Sequence, residues 1–202
     1  MNAFFKLGDV YADEVGGYEI NAGWWSRHYE YPWAFQFAKG TVADMGAGWM
    51  GRPLKDALCK VCDRVYAVDL DARVHELERR ENLTYITADF TKRIDEIPAG
   101  SLDRVFCISV LEDLGGNLDK ALAEFKRLLK PGGLIVITMD MEYSPLKPMG
   151  KYPGGNMNEL LTACAKVGLQ FVGDIDMSKE DSVFHSDYNL CVFHCVLEVA
   201  NE

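Results

Sequence analysis

The chain has 202 residues, 49% hydrophobic and 26% charged, which fits one soluble domain with a single core and excludes a disordered or fibrous protein. Its formal net charge is −10 and its longest basic cluster is Lys126-Arg127 with Lys130, so a nucleic-acid partner is not expected: such a surface repels a phosphate backbone. No apolar run reaches the roughly 18 residues of a membrane span, and Met1 to Val10 lacks the pattern of a secretion signal. A cytoplasmic protein with reduced cysteines and no membrane partner is therefore expected.

Residues 1–40 are rich in aromatics and show no clear strand, with helix expected between Asn21 and Lys39. Thr41-Val42-Ala43 reads as the first buried strand and leads into Gly46-Ala47-Gly48-Trp49-Met50-Gly51. Leu54, Ala57, Leu58 and Val61 then recur at helical spacing. Val65 to Val68 is a second strand, ending at Asp69, and Ala72 to Arg80 has helical character. Leu83 to Thr87 and Leu102 to Ser109 are the third and fourth strands. Leu118 to Leu129 is an amphipathic helix stopped by Pro131-Gly132-Gly133. Leu134 to Met139 is a fifth strand, residues 140–156 form a loop, and Asn158 to Val167 is a helix closed by Gly168. Leu169 to Ile175 and Leu190 to Val199 complete a set of seven strands.

Alternating strands and helices predict an α/β fold, a doubly wound and mostly parallel sheet with helices on both faces. The stretch between Asp176 and Asn189 has no helical periodicity. Without a helix-sized crossover the last strand should run antiparallel to its neighbour.

Gly46, Gly48 and Gly51 fit the spacing G-x-G-x-x-G, which lets a backbone turn tightly and approach a ligand. The acids around it sharpen the signal. Asp69 ends the second strand, where a carboxylate can accept from both ribose hydroxyls. Asp89 follows the third strand, where it can accept from an adenine amino group with Phe90 on the ring. Asp71 reads as a helix cap. Cys59-x-x-Cys62 lacks a second paired motif at metal-site spacing, so it is read as packing and no metal is expected.

Five ordered segments resemble the class I, Rossmann-like, S-adenosylmethionine-dependent methyltransferases. They are Val42 to Gly48, Val65 to Asp69, Thr87 to Phe90, Ser101 to Leu114, and Leu128 to Gly133. The resemblance implies that Asp44, Gly46, Ala47 and Gly48 contact the amino-acid part of the cofactor. It places the ribose at Asp69 with Leu70 beside it, the adenine at Asp89 and Phe90, and the sulfonium end over Ser109 and Val110. Residues 41–202 would form the methyltransferase domain, and residues 1–40 a helical lid on it within a single domain. From that lid Arg27 would pair with the methionine carboxylate, and His28 or Tyr29 would face the acceptor.

Family members often carry a histidine where Asp113 stands, which leaves no obvious base in that loop. His185, near Asp187, is the remaining candidate base. Tyr143 and Tyr152 are candidates for the acceptor pocket. Ser109-Val110-Leu111-Glu112 differs from the Asn/Asp-Pro-Pro-Tyr pattern used on nucleobase amines. A small-molecule acceptor, an oxygen of a sugar or natural product ahead of nitrogen or carbon, is therefore expected, with S-adenosylhomocysteine as the second product. The competing readings are an NAD-dependent oxidoreductase, which the glycine spacing also fits, and a non-catalytic cofactor-binding module.

Overall fold

The computed structural model describes residues 1–49, 53–144, 146 and 154–200. Three two-residue strands open the chain: β1 (Ala3–Phe4), β2 (Glu14–Val15) and β3 (Tyr18–Glu19), followed by helix α1 (Arg27–Phe35). Then come β4 (Thr41–Met45), α2 (Leu54–Leu58), β5 (Arg64–Asp69), β6 (Leu83–Thr87), β7 (Leu102–Ile108), α3 (Leu118–Leu128) and β8 (Leu129–Glu142). The chain ends with α4 (Met157–Val167), β9 (Leu169–Phe171), β10 (Phe184–His185) and β11 (Leu190–Val199).

The sheet runs β6-β5-β4-β7-β8-β11, parallel through β8, with β11 antiparallel to β8 as expected. Successive strand residues feed opposite faces. Ala43, Val105 and Ile135 join the core under α3 and α4, whereas Val42, Phe106 and Val136 join the core under α1 and α2. All six are fully buried, which is why these segments read as unbroken apolar runs rather than alternating ones. Among the described residues no helix is long and apolar enough to cross a membrane.

Four elements differ from the sequence expectation. The first forty residues do contain strands: β1 lies along the outer edge of β11, pairing Ala3 with His194 and Phe4 with Phe193, between the short pairings of β9 and β10 on that edge. The segment from Ala72 is a single 3-10 turn ending at Glu76, because it buries only Val74 and has no apolar face to extend it. β9 stops at Phe171, and the backbone beyond it is met instead by the N-terminus, with Asn2 bridging to Ile175. β8 starts at Leu129 and continues to Glu142, because β11 goes on pairing through Val192–Asp140 and Leu190–Glu142. Asp140 therefore belongs to a strand end and not to a loop.

The side chain of Asn2 fixes the N-terminus in place. Its Nδ2 donates to the carbonyls of Val172, Gly173 and Asp174 at 3.1–3.3 Å, and its Oδ1 accepts from Val196 N–H at 2.9 Å. Asn2→Ala removes these bonds and leaves the buried Val196 N–H without its acceptor, which should lower unfolding free energy by about 1–3 kcal/mol in urea titration. An unchanged midpoint would mean the N-terminus is held by β1 pairing alone.

Candidate functional site

Parallel pairing brings the ends of β4 to β8 to one edge, where Asp44 registers with Ala67 of β5 and Phe106 of β7. After β4 the backbone turns at Gly46 (φ +79°), whose N–H donates to the Val68 carbonyl at 2.8 Å. A Cβ there would lie 2.5 Å from Val110 Cγ2, so the turn and the segment after β7 are in direct contact. Gly48 (φ +66°) donates its N–H to Asp69 Oδ2 at 2.8 Å, while Asp69 Oδ1 accepts from Asp71 N–H at 2.9 Å. Asp69 thus joins the glycine turn to the turn after β5 and remains half-buried, with lone pairs left for a ligand. Gly51, the third glycine of the pattern, lies outside the described residues.

The other expected cofactor residues are spread unevenly. Asp44 is buried and, with Tyr31, Gly46, Leu54 and Ile108, borders a small void beneath the turn. Asp89 accepts from Thr91 N–H (3.0 Å), Thr91 Oγ1 (2.6 Å) and Lys92 (3.0 Å). The Thr91 hydroxyl and the Lys92 ammonium hold its carboxyl down at about 2. Phe90 lies in the core against Phe125, ring centroids 5.5 Å apart. Leu70 is exposed. Asp71 caps its turn by accepting from Arg73 N–H, and the Arg73 guanidinium sits 3.6 Å over the Trp49 ring.

Beside the glycine turn, at the ends of β7 and β8, is a cavity of about 330 Å³ lined by Trp24, Trp25, Ser26, Arg27, Ser109, Glu112, Asp113, Asp140, Tyr188 and Leu190. One buried carboxylate organises its wall. Glu30 of α1 pairs with Arg27 at 2.6 Å and accepts from the hydroxyls of Ser109 (2.8 Å) and Thr138. Burial alone would raise its pKa, but the Arg27 guanidinium and the surrounding hydroxyls hold it below the ordinary carboxylate value. Ser109, just past β7, has φ +45°, a sparsely populated backbone region for a residue with a side chain, and its bond to Glu30 accompanies that conformation.

Two further acids face the cavity without such support. Glu112 Oε2 and Asp140 Oδ1 are buried and have no hydrogen-bond partner among the described residues. Burial and the charge of Asp140 push Glu112 well above the ordinary range. Burial and the charge of Glu30 push Asp140 up to about 7, partly offset by Arg27.

Of the three candidate catalytic residues, His28, Tyr29 and His185, none lines the cavity. His28 is buried with Nδ1 3.0 Å from the Ala12 carbonyl and its ring stacked on Tyr11. Tyr29 packs on Tyr11 and Phe5. His185 comes nearest, stacked on Tyr188 at 4.0 Å with Trp25 at 5.4 Å, behind the aromatic wall. Tyr143 stacks on Phe184, and Tyr152 lies outside the described residues. Cys59 and Cys62 are free, their thiols pushed up by burial to about 11 and about 12, and no metal-binding cluster occurs among the described residues.

Sequence reasoning missed Glu30, Glu112, Thr138 and Asp140. Two signals were present: the Arg27–Glu30 spacing of a helical ion pair, and Asp140 near the end of the fifth long strand, as Asp44 and Asp69 lie at or near the ends of earlier ones.

Glu30→Ala should cost about 3–5 kcal/mol in chemical denaturation, because it strands the Arg27 guanidinium and two hydroxyls in a buried site. A loss no larger than that of an exposed ion pair would contradict this role. Asp140 gives a prediction with a defined pH window. Its folded-state pKa of about 7 lies above the unfolded value, so the folded protein holds that proton more tightly. The contribution of Asp140 to ligand-free stability should therefore fall as pH rises from about 4 to about 7. Asp140→Asn should raise the melting temperature above pH 7 and lose that advantage near pH 4. A gain independent of pH would assign the effect to packing.

Residues 43–137 match the family model of the methyltransferase domain. No curated protein matches the chain significantly. Among solved structures, the [4+2]-cyclase SpnF shares the fold over 98% of this chain and 88% of its own, at 13% identity and TM-score 0.71. An S-adenosylmethionine-dependent methyltransferase from Mesorhizobium loti aligns at 15% identity over 85% of this chain and 97% of its own, TM-score 0.64. A Burkholderia thailandensis 1,6-didemethyltoxoflavin-N1-methyltransferase, solved with its acceptor and S-adenosylhomocysteine, aligns at 17% identity over 80% and 71%, TM-score 0.58. Residues 43–137 are thus similar to a methyltransferase domain, and the sheet order with the antiparallel β11 is the Rossmann-like fold that these solved structures share.

Proposed function

We propose that the protein transfers a methyl group from S-adenosylmethionine to a small molecule held in the cavity at the ends of β7 and β8. One observation carries the reading: Ser109 lines the 330 Å³ cavity, and the next residue, Val110, packs on Gly46 of the glycine turn that Asp69 holds through Gly48. The volume suits a small ligand, whose pockets run from about 300 to 1,000 Å³.

The residues present fit the cofactor. The positive-φ turn at Gly46 and Gly48 lets backbone approach a ligand, and half-buried Asp69 has acceptor capacity for ribose hydroxyls. Bound there, the cofactor would supply an electrophilic methyl group, which passes in line to the acceptor and leaves S-adenosylhomocysteine. The chain's part is to position the acceptor and exclude water. Residues 1–40 act as the lid in this reading, since Trp24, Trp25 and Arg27 line the cavity. Arg27 is committed to Glu30, so its role is to orient that carboxylate and Ser109 more than to grip a cofactor carboxylate. Phe90, sealed in the core, is left out of the proposed adenine contacts. An oxygen of a sugar or natural product remains the proposed acceptor atom, in a cytoplasmic setting.

The antiparallel β11 occupies the place of the sixth parallel strand of a dinucleotide-binding sheet, which weighs against the NAD reading. A second reading, use of the cavity without methyl transfer, is prompted by the cyclase on the same fold. Release of S-adenosylhomocysteine during turnover with an acceptor separates the two.

Titration calorimetry tests the cofactor site. S-adenosylmethionine should bind and NAD should not, and Asp69→Ala should weaken binding by about tenfold to a hundredfold, or 1–3 kcal/mol. Unchanged affinity in that variant would remove Asp69 from the site.

A further inference from the structure

Among the described residues, the cavity carries more carboxyl groups than it has cations to pair with them. Arg27 is the one cation on its lining among the described residues, and it is taken by Glu30 at 2.6 Å and by the Ser26 hydroxyl at 3.2 Å. Glu112 Oε2 and Asp140 Oδ1, from the turn after β7 and near the end of β8, each lie buried with no hydrogen-bond partner among the described residues. A buried carboxylate oxygen without a donor is costly, and native structures rarely keep two around one cavity unless something else satisfies them.

The rest of the lining fits the same occupant. Trp24, Trp25 and Tyr188 supply aromatic surface beside the acids. Trp25 and Tyr188 are braced by His185, which stacks on Tyr188 and meets Trp25 edge-on. Carboxylates next to aromatic faces favour a cation attached to an apolar or ring-shaped body: the charge-assisted hydrogen bonds go to the acids and the ring face to the aromatics.

We propose that the cavity is built for an acceptor bearing a protonated amine, seated between Glu112 and Asp140 with its body against Trp24 and Trp25. The proposal rests on the methyltransferase reading for the word acceptor, while the cation site itself stands on the cavity alone. The amine is the recognised group, and the atom that receives the methyl can lie elsewhere on the same molecule. Both acids are held in the protonated direction in the ligand-free protein, and an arriving ammonium would reverse that.

The test is calorimetry with matched pairs, glucosamine against glucose and 2-phenylethylamine against 2-phenylethanol, each with and without S-adenosylhomocysteine. In at least one pair the amine should bind about tenfold or more tightly than its neutral partner. That preference should fall to about twofold or less in both Glu112→Gln and Asp140→Asn, with circular dichroism confirming that each variant is folded. Equal binding within both pairs, absence of any amine binding, or a preference unchanged in both variants would overturn the proposal. An amine preference that persists while S-adenosylhomocysteine fails to bind would uphold the cation site and sink the methyltransferase reading instead.

Discussion

The Glu30 carboxylate is the interaction on which the site depends. It is fully buried, and a buried carboxylate is tolerable only when donors surround it. Those donors come from three elements: Arg27 from α1 itself, Ser109 from the end of β7, and Thr138 from β8. The bonds lock α1 over the sheet edge where the parallel strands finish. They also engage Ser109 in its left-handed conformation, next to the Val110 that rests on Gly46. The roof of the cavity, its floor and the glycine turn are thereby held as one unit.

The acids of this edge are held in very different ways. Asp69 accepts two backbone N–H groups, Asp89 accepts from Thr91 and Lys92, and Glu30 has its ion pair and hydroxyls. Glu112 and Asp140 each have an oxygen with no hydrogen-bond partner among the described residues. Such a site costs stability in the ligand-free state, and that cost concentrates where ligands bind. The overall charge of −10 adds to the bias of the cavity toward a cationic visitor and away from a polyanion.

Much of the fold was legible because its central strands are buried on both faces and separated by helical periodicity. The positions of Asp44 and Asp69 at the carboxyl edge follow directly from parallel strands. The antiparallel last strand was legible from the helix-free stretch before it. What was not legible depends on partners distant in sequence. β1 is two residues long and exists because β11 offers it an edge and Asn2 secures it. β8 runs on to Asp140 because β11 keeps pairing with it. Phe90 follows Asp89 directly, but its burial against Phe125 is set by α3, which no local pattern at residue 90 encodes. The histidines drew attention by residue type, whereas the cavity is lined by carboxylates.

The most direct measurement is a crystal structure with S-adenosylhomocysteine bound. The account predicts the ribose hydroxyls on Asp69, the chain of the glycine turn against the amino-acid end, and the sulfur beside Ser109 and Val110, opening into the cavity under Trp24 and Trp25. A ligand bound away from the ends of β4 and β5, or a sulfur turned away from that cavity, would contradict it.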